Sequence, residues 1–224
     1  MNVPLLRVSA LCFRHDHTRP LLEGVTFELH AGERLGLAGH NGCGKSSLLQ
    51  LLVGLYRPVS GDIEIFGRAR QCEGDFHEVR GRVGLMFQEA DDQLFCPTVE
   101  EDVAFGPLNQ GRTPHEVRDL VIATLERLGL RHLSARPIHH LSGGEKRLVA
   151  LAGVLAMQPE VLLLDEPLSG LDEVAQARVL EILHALPQAM IVVSHDRLFL
   201  NRVVSRLVTL RNGVLCDEPV PHAH

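Results

Sequence analysis

The sequence predicts an α/β fold whose core sheet is mostly parallel, and three features predict it. Short apolar runs at Arg34–Ala38, 82–87, 161–164 and 190–193 alternate with helical patterns, as strands buried on both faces do. A glycine-rich stretch, GHNGCGKSS at 39–47, joins the first of these runs to a helical segment at 46–55. A long stretch between the second and third runs reads as helix-rich. At 224 residues the chain is expected to form one domain. Its core would come from 1–88 and 158–224, with 89–157 inserted as a helical subdomain.

In chain order, 3–11 and 25–29 read as antiparallel strands ahead of the glycine-rich stretch, separated by a polar loop with His15 and Pro20. Within the helical stretch, Thr98 and Glu101 form a capping box opening a helix towards Phe105. Thr113, Pro114 and Glu116 form a second box with proline at the first helical position. Val117, Leu120, Val121, Thr124, Leu125 and Leu128 follow at helical spacing before Gly129. Ser142 and Glu145 make a third box, opening a helix with Leu148, Leu151, Ala152 and Leu155 on one face. A helix after Asp172 ends at Pro187.

The chemistry concentrates at the strand ends, where ligands gather in such sheets. Gly39, Gly44, Lys45 and Ser46 fit G-x-x-x-x-G-K-[ST] between a strand and a helix, a context that disfavours an ordinary glycine turn. Backbone N–H groups of Gly39, His40, Asn41, Gly42, Cys43, Gly44 and Ser47 would cradle a polyphosphate at the positive end of the helix. Lys45 would reach the β/γ-phosphates and the Ser46 hydroxyl a magnesium ion. Cys43 reads as a small residue fitted between glycines, although Lys45 and the helix start would activate an accessible thiol there.

Asp165 and Glu166 emerge from the end of the 161–164 run. Asp165 suits magnesium, and Glu166 suits accepting a proton from a water attacking the γ-phosphate. The glycines of Leu141-Ser142-Gly143-Gly144-Glu145 expose N–H groups at another helix start, so one chain carries two anion sites.

Composition excludes several classes. A net charge of −6 lacks the basic footprint of a nucleic-acid binder. No apolar run approaches the ~20 residues a membrane helix needs. The start of the chain lacks a secretory pattern, and cysteines at 12, 43, 72, 96 and 216 form no disulfide framework or metal pair, which fits a reducing cytoplasm. The thirteen histidines, including the pairs His15/His17, His139/His140 and His222/His224, read as solvated surface residues.

GHNGCGKSS, Gln88, LSGGE, LLLLDEP, Ser169-Gly170-Leu171-Asp172 and His195, in this order and spacing, resemble the nucleotide-binding subunit of ABC transporters over nearly the whole chain. The resemblance implies a P-loop ATPase of the ABC type, forming a head-to-tail dimer, homomeric or with a paralogue, that closes over two ATP molecules with Mg2+. Each cradle would face the partner's Ser142, Gly143, Gly144 and Glu145. Gln88 would contact magnesium and the attacking water, His195 the γ-phosphate, and Asp172 the dimer interface. The family stacks an aromatic side chain on adenine; here Phe13 and His15 both stand near that position.

A narrower resemblance, carried by 87–95 and 97–107 with LSGGEKR, is to the energy-coupling-factor ATPases that drive bacterial uptake of cobalt, nickel and vitamins. The chain ends soon after Asn212-Gly213, which favours the cobalt or nickel branch, on the cytoplasmic membrane face beside membrane-embedded subunits. Another ABC importer or exporter branch, or a soluble ABC ATPase, are the alternatives. Asp91 and Asp92 are either a solvated turn or a partner contact.

Overall fold

The computed structural model describes residues 3–15 and 19–218. The chain opens with strands β1 (Leu6–Phe13), β2 (Leu22–Leu29) and β3 (Arg34–Ala38), then helix α1 (Lys45–Leu52), β4 (Ser60–Ile65), β5 (Arg68–Ala69), the short α2 (Glu73–His77) and β6 (Val83–Met86). The helical stretch supplies α3 (Val99–Asn109), α4 (Pro114–Leu128) and α5 (Gly143–Ala156). The chain then returns through β7 (Val161–Asp165), α6 (Glu173–Ala185), β8 (Ala189–Val193), α7 (Arg197–Val203), β9 (Arg206–Arg211) and β10 (Val214–Glu218).

Two sheets result. A six-stranded sheet runs β10-β9-β3-β8-β7-β6, parallel except for the β10 edge, and a four-stranded antiparallel sheet runs β2-β1-β4-β5. The expected architecture is therefore present, with the antiparallel part larger than the two strands read from the sequence. β4 escaped that reading because only Ile63 and Ile65 of its six residues are buried. The first strand begins later than its apolar pattern suggested, at Leu6, and runs to Phe13.

β7 shows how the sheet splits the core. Leu162 and Leu164 point into a cluster with α3, α4 and α5, whereas Val161 and Leu163 join β1, β2 and α1 on the other face. Two-residue side-chain alternation places both sets in apolar surroundings, so the strand reads as an unbroken apolar run. The helical stretch thus shares one continuous core with the sheet.

All three capping boxes form, at Thr98, Thr113 and Ser142. α3 continues past Phe105 and through Pro107, and the side-chain amide of Asn109 donates to the Phe105 carbonyl at 2.9 Å. α4 closes at Gly129 in the left-handed conformation, φ 66°.

Candidate nucleotide site

β3 delivers the cradle to the carboxyl edge of the sheet, beside the ends of β6, β7 and β8. A cavity of about 620 Å³ opens there. It gathers Asn41, Gly42, Gly44, Lys45, Ser46 and Ser47 of the cradle, Gln88 after β6, Asp165 and Glu166 from β7, and His195 after β8, with His15 at its rim. Residues far apart in sequence thus meet here, while Gly39, His40 and Cys43 of the cradle do not line the cavity.

The glycines have more than one reason to be there. At Gly39, φ 148°, a Cβ would lie 2.7 Å from the Cys43 Sγ and 2.8 Å from the Leu210 carbonyl; at Gly44, φ 109°, it would press on Leu21 and Leu22. The cradle's own packing, as well as an approaching phosphate, forbids side chains at both positions. Gly44 is also the N-cap of α1 and offers no side-chain oxygen, so the first turn of that helix keeps its N–H groups for a ligand.

Lys45 is buried, and its ammonium donates to the carbonyls of Gly39 at 2.8 Å and His40 at 3.1 Å. The cation expected at the phosphates thus ties the loop to itself. Cys43 is 5% exposed and packed in the apolar core, in keeping with a small residue fitted between glycines.

Asp165 is 4% exposed, and its Oδ1 is buried without a hydrogen-bond partner. Desolvation pushes its carboxyl above the ordinary aspartate range, and the charge of Glu166 adds to this, while the Ser46 hydroxyl, Lys45 and Arg147 pull the other way. An orphaned carboxylate oxygen beside a hydroxyl is a hard-oxygen donor set, and it fits a magnesium ion.

Glu166 holds a backbone φ of 49°, the left-handed region a side chain rarely adopts. Its carboxylate accepts from the Ser194 hydroxyl at 3.1 Å and the His195 backbone N–H at 2.9 Å, and lies 3.0 Å from His195 Nδ1. The two residues expected to act on the γ-phosphate are therefore in contact with each other.

Of the two candidate adenine rings, Phe13 is buried, stacked on Tyr56 at 5.4 Å. His15 is exposed, edge-on to both rings, with Nε2 3.1 Å from the Ser47 hydroxyl. Burial removes Phe13 as a stacking face and leaves His15. Tyr56, the chain's single tyrosine, braces it, and nothing in the sequence pattern pointed to that residue.

Ser142 and Gly143 are exposed, and no residue of 142–145 lines the cavity. The Ser142 hydroxyl accepts from the Glu145 N–H at 3.3 Å, and the Glu145 carboxylate accepts from the Ser142 N–H at 2.7 Å. Those bonds hold the Glu145 carboxyl below the usual glutamate range. Asp172 caps α6, accepting from the Ala175 N–H at 2.8 Å. Asp91 pairs with Lys146 at 2.6 Å while Asp92 stays exposed. His139 and His140 are exposed; His17, His222 and His224 lie outside the described residues.

Arg147 closes the LSGGEKR motif but carried no assigned role in the sequence; its buried guanidinium donates to the carbonyls of Glu166 and Gln88, both at 2.6 Å. Its charged character, in a helix read by its apolar face, gave no signal of burial.

Residues 22–169 match the family model described as ABC transporter. A Brucella suis protein carrying the provisional name ABC transporter ATP-binding protein is 53% identical over 99% of this chain and 91% of its own length. The energy-coupling factor transporter ATP-binding protein EcfA of Methanothermobacter thermautotrophicus is 40% identical over 97% of this chain and 71% of its own. The solved structure of cbiO1 from Clostridium perfringens, part of the ABC transporter complex cbiONQ, superposes with a TM-score of 0.85. It is 32% identical and covers 97% of this chain and 89% of that one.

Proposed function

The chain belongs to the ABC transporter family as an ATPase, and on that premise we propose that it drives an energy-coupling-factor importer, of the cobalt or nickel branch. The 40% identity to the EcfA protein and the likeness to cbiO1 support the energy-coupling-factor reading. In this reading the cradle at 39–47 binds ATP, with His15 against the adenine. Ser46, Gln88 and Asp165 would hold Mg2+, which neutralises phosphate charge when bound. Glu166 accepts the proton of the attacking water, and His195 steadies the γ-phosphate. The chain works as one 1–224 domain whose 89–157 helices meet the transporter.

The observation that carries the dimeric half of this reading is the gap in the cavity. Cradle, carboxylates and His195 line it, and Ser142 to Glu145 do not. An ATP seated there meets the signature residues only if a second subunit, identical or paralogous, supplies them, with Asp172 at the interface.

A membrane partner also has a place to sit. A groove of about 570 Å³ opens between β6, α3 and α5, lined by Leu85, Asp102, Val154 and Met157. At its mouth Phe95 and Phe105 are 64% and 46% exposed, their rings edge to face at 4.6 Å. Exposed aromatics over a trough that also presents Arg80, Asn109 and Gln110 suit an amphipathic helix laid into a groove. Among the described residues no helix is long and apolar enough to cross a membrane; in this reading the chain attaches to membrane-embedded subunits at the cytoplasmic face.

The test is uptake. Cells lacking this chain should take up less radioactive cobalt or nickel, the parent chain should restore uptake, and Phe105→Ala should restore it poorly while retaining ATP binding. Unchanged metal uptake in the deletion would remove the metal branch. Full restoration by Phe105→Ala would remove the groove as the docking site.

A further inference from the structure

Arg147 lies one turn into α5, the helix that begins at the signature glycines, and is only 8% exposed. Burial lowers its pKa, with partial relief from the charges of Glu89, Glu166 and Asp165. Its two guanidinium nitrogens serve carbonyls on two different catalytic segments: Nη1 the Glu166 carbonyl and Nη2 the Gln88 carbonyl. Burying a guanidinium for backbone acceptors is expensive compared with packing an apolar side chain of the same size. What it supplies that an apolar chain cannot is a planar fork with two fixed directions.

Both ends of that fork matter. The Glu166 peptide is held in an unfavourable left-handed conformation by its own N–H to the Val193 carbonyl at 2.9 Å, and on its other side by the Ser169 N–H at 3.1 Å and Arg147. The Gln88 segment is fastened to α5 at two further points. The Gln93 side chain accepts from the Phe87 N–H at 3.1 Å and donates to the Ala150 carbonyl at 2.8 Å, and Lys146 pairs with Asp91 at 2.6 Å. Segment 87–93 and α5 are thus tied together, and Arg147 extends that unit to the Glu166 peptide.

We propose that Arg147 is a positioning residue that transmits a displacement of the Gln88 segment and the signature helix to the backbone of Glu166, setting the direction of that carboxylate. The proposal rests on the reading of Glu166 as the proton acceptor. It predicts that Arg147 acts on turnover and leaves nucleotide affinity alone, since none of its bonds reaches the cradle.

The experiment is a double-mutant cycle on the full chain with Mg-ATP. Arg147→Met should lower kcat on the order of 100-fold, as small misplacements of a reacting group do, with the ATP Kd and thermal midpoint near those of the parent. In a Glu166→Gln background the same substitution should leave the residual rate unchanged, because its effect passes through the Glu166 carboxylate. Arg147→Lys, which keeps the charge and loses the fork, should fall between. Hydrogen exchange of the peptide containing Glu166, without nucleotide, should accelerate in Arg147→Met and much less in Arg147→Lys. A kcat unchanged in Arg147→Met, or an equal further loss in the Glu166→Gln background, overturns the proposal. Parent-like hydrolysis by Glu166→Gln alone would instead sink the assignment of Glu166, and the proposal with it.

Discussion

The helix starts of α1 and α5 are both glycine-rich and both follow the anion-binding pattern, yet the structure treats them oppositely. α1 begins at Gly44 without a side-chain cap, inside a cavity, beside the orphaned Oδ1 of Asp165. α5 begins at Ser142 with a closed capping box, on the surface, its carboxylate Glu145 already bonded to the chain. One start is incomplete in the single chain and the other is satisfied. The difference fits the proposed division of tasks, in which α1 takes the phosphates directly and the glycines of α5 meet an ATP presented from a second subunit.

The harshest way to break this contrast is at Lys45. Its ammonium should leave the Gly39 and His40 carbonyls for the phosphates, so Lys45→Met should weaken ATP binding by about 100-fold or more. That corresponds to roughly 3 kcal/mol for a lost charge-assisted contact. Calorimetric titration with ATP checks it; an affinity within threefold of the parent would contradict the role.

Ser142→Ala probes the other start. ATP binding by the single chain should be unchanged, hydrolysis should fall at least tenfold, and stability should drop by about 1 kcal/mol from the lost cap. Equal loss of binding and hydrolysis would place α5 in the single-chain site and erase the contrast.

The smallest effect is expected at Asp165, on stability without nucleotide. Its folded pKa is raised, so the fold favours the protonated form, and stability is lost as pH rises from the ordinary aspartate range through the raised value. At neutral pH Asp165→Asn should therefore stabilise the nucleotide-free chain by about 1 kcal/mol, the gain shrinking as pH falls, while Mg-dependent hydrolysis is lost. Glu145 has the opposite sign. Its lowered pKa gives stability that is present above the ordinary glutamate range and disappears as pH falls through the lowered value. Thermal melts against pH separate the two; a destabilised Asp165→Asn at neutral pH would contradict the orphaned carboxylate.

What was legible in the sequence was whatever local chemistry dictates. Capping boxes at Thr98, Thr113 and Ser142 specify helix starts through bonds only three residues long, and all three formed. The β3, β7 and β8 runs are apolar on both faces and announced themselves. Features set by distant neighbours were not legible. The burial of Phe13 against Tyr56 and the fork of Arg147 depend on chain segments tens of residues away or on which face of a helix meets the sheet. β9, with its polar ends Arg206 and Arg211, and the short α2 carried too little pattern to stand out.

If the cavity at α1 is half of a hydrolytic site whose other half is the α5 start of a second subunit, the rate of Mg-ATP hydrolysis per chain depends on protein concentration. On dilution of the purified protein, with ATP occupancy followed in parallel, occupancy should hold while the rate per chain falls as dimers dissociate, and Ser142→Ala chains should regain turnover when mixed with Lys45→Met chains. A rate per chain that stays constant down to monomers would contradict the shared site.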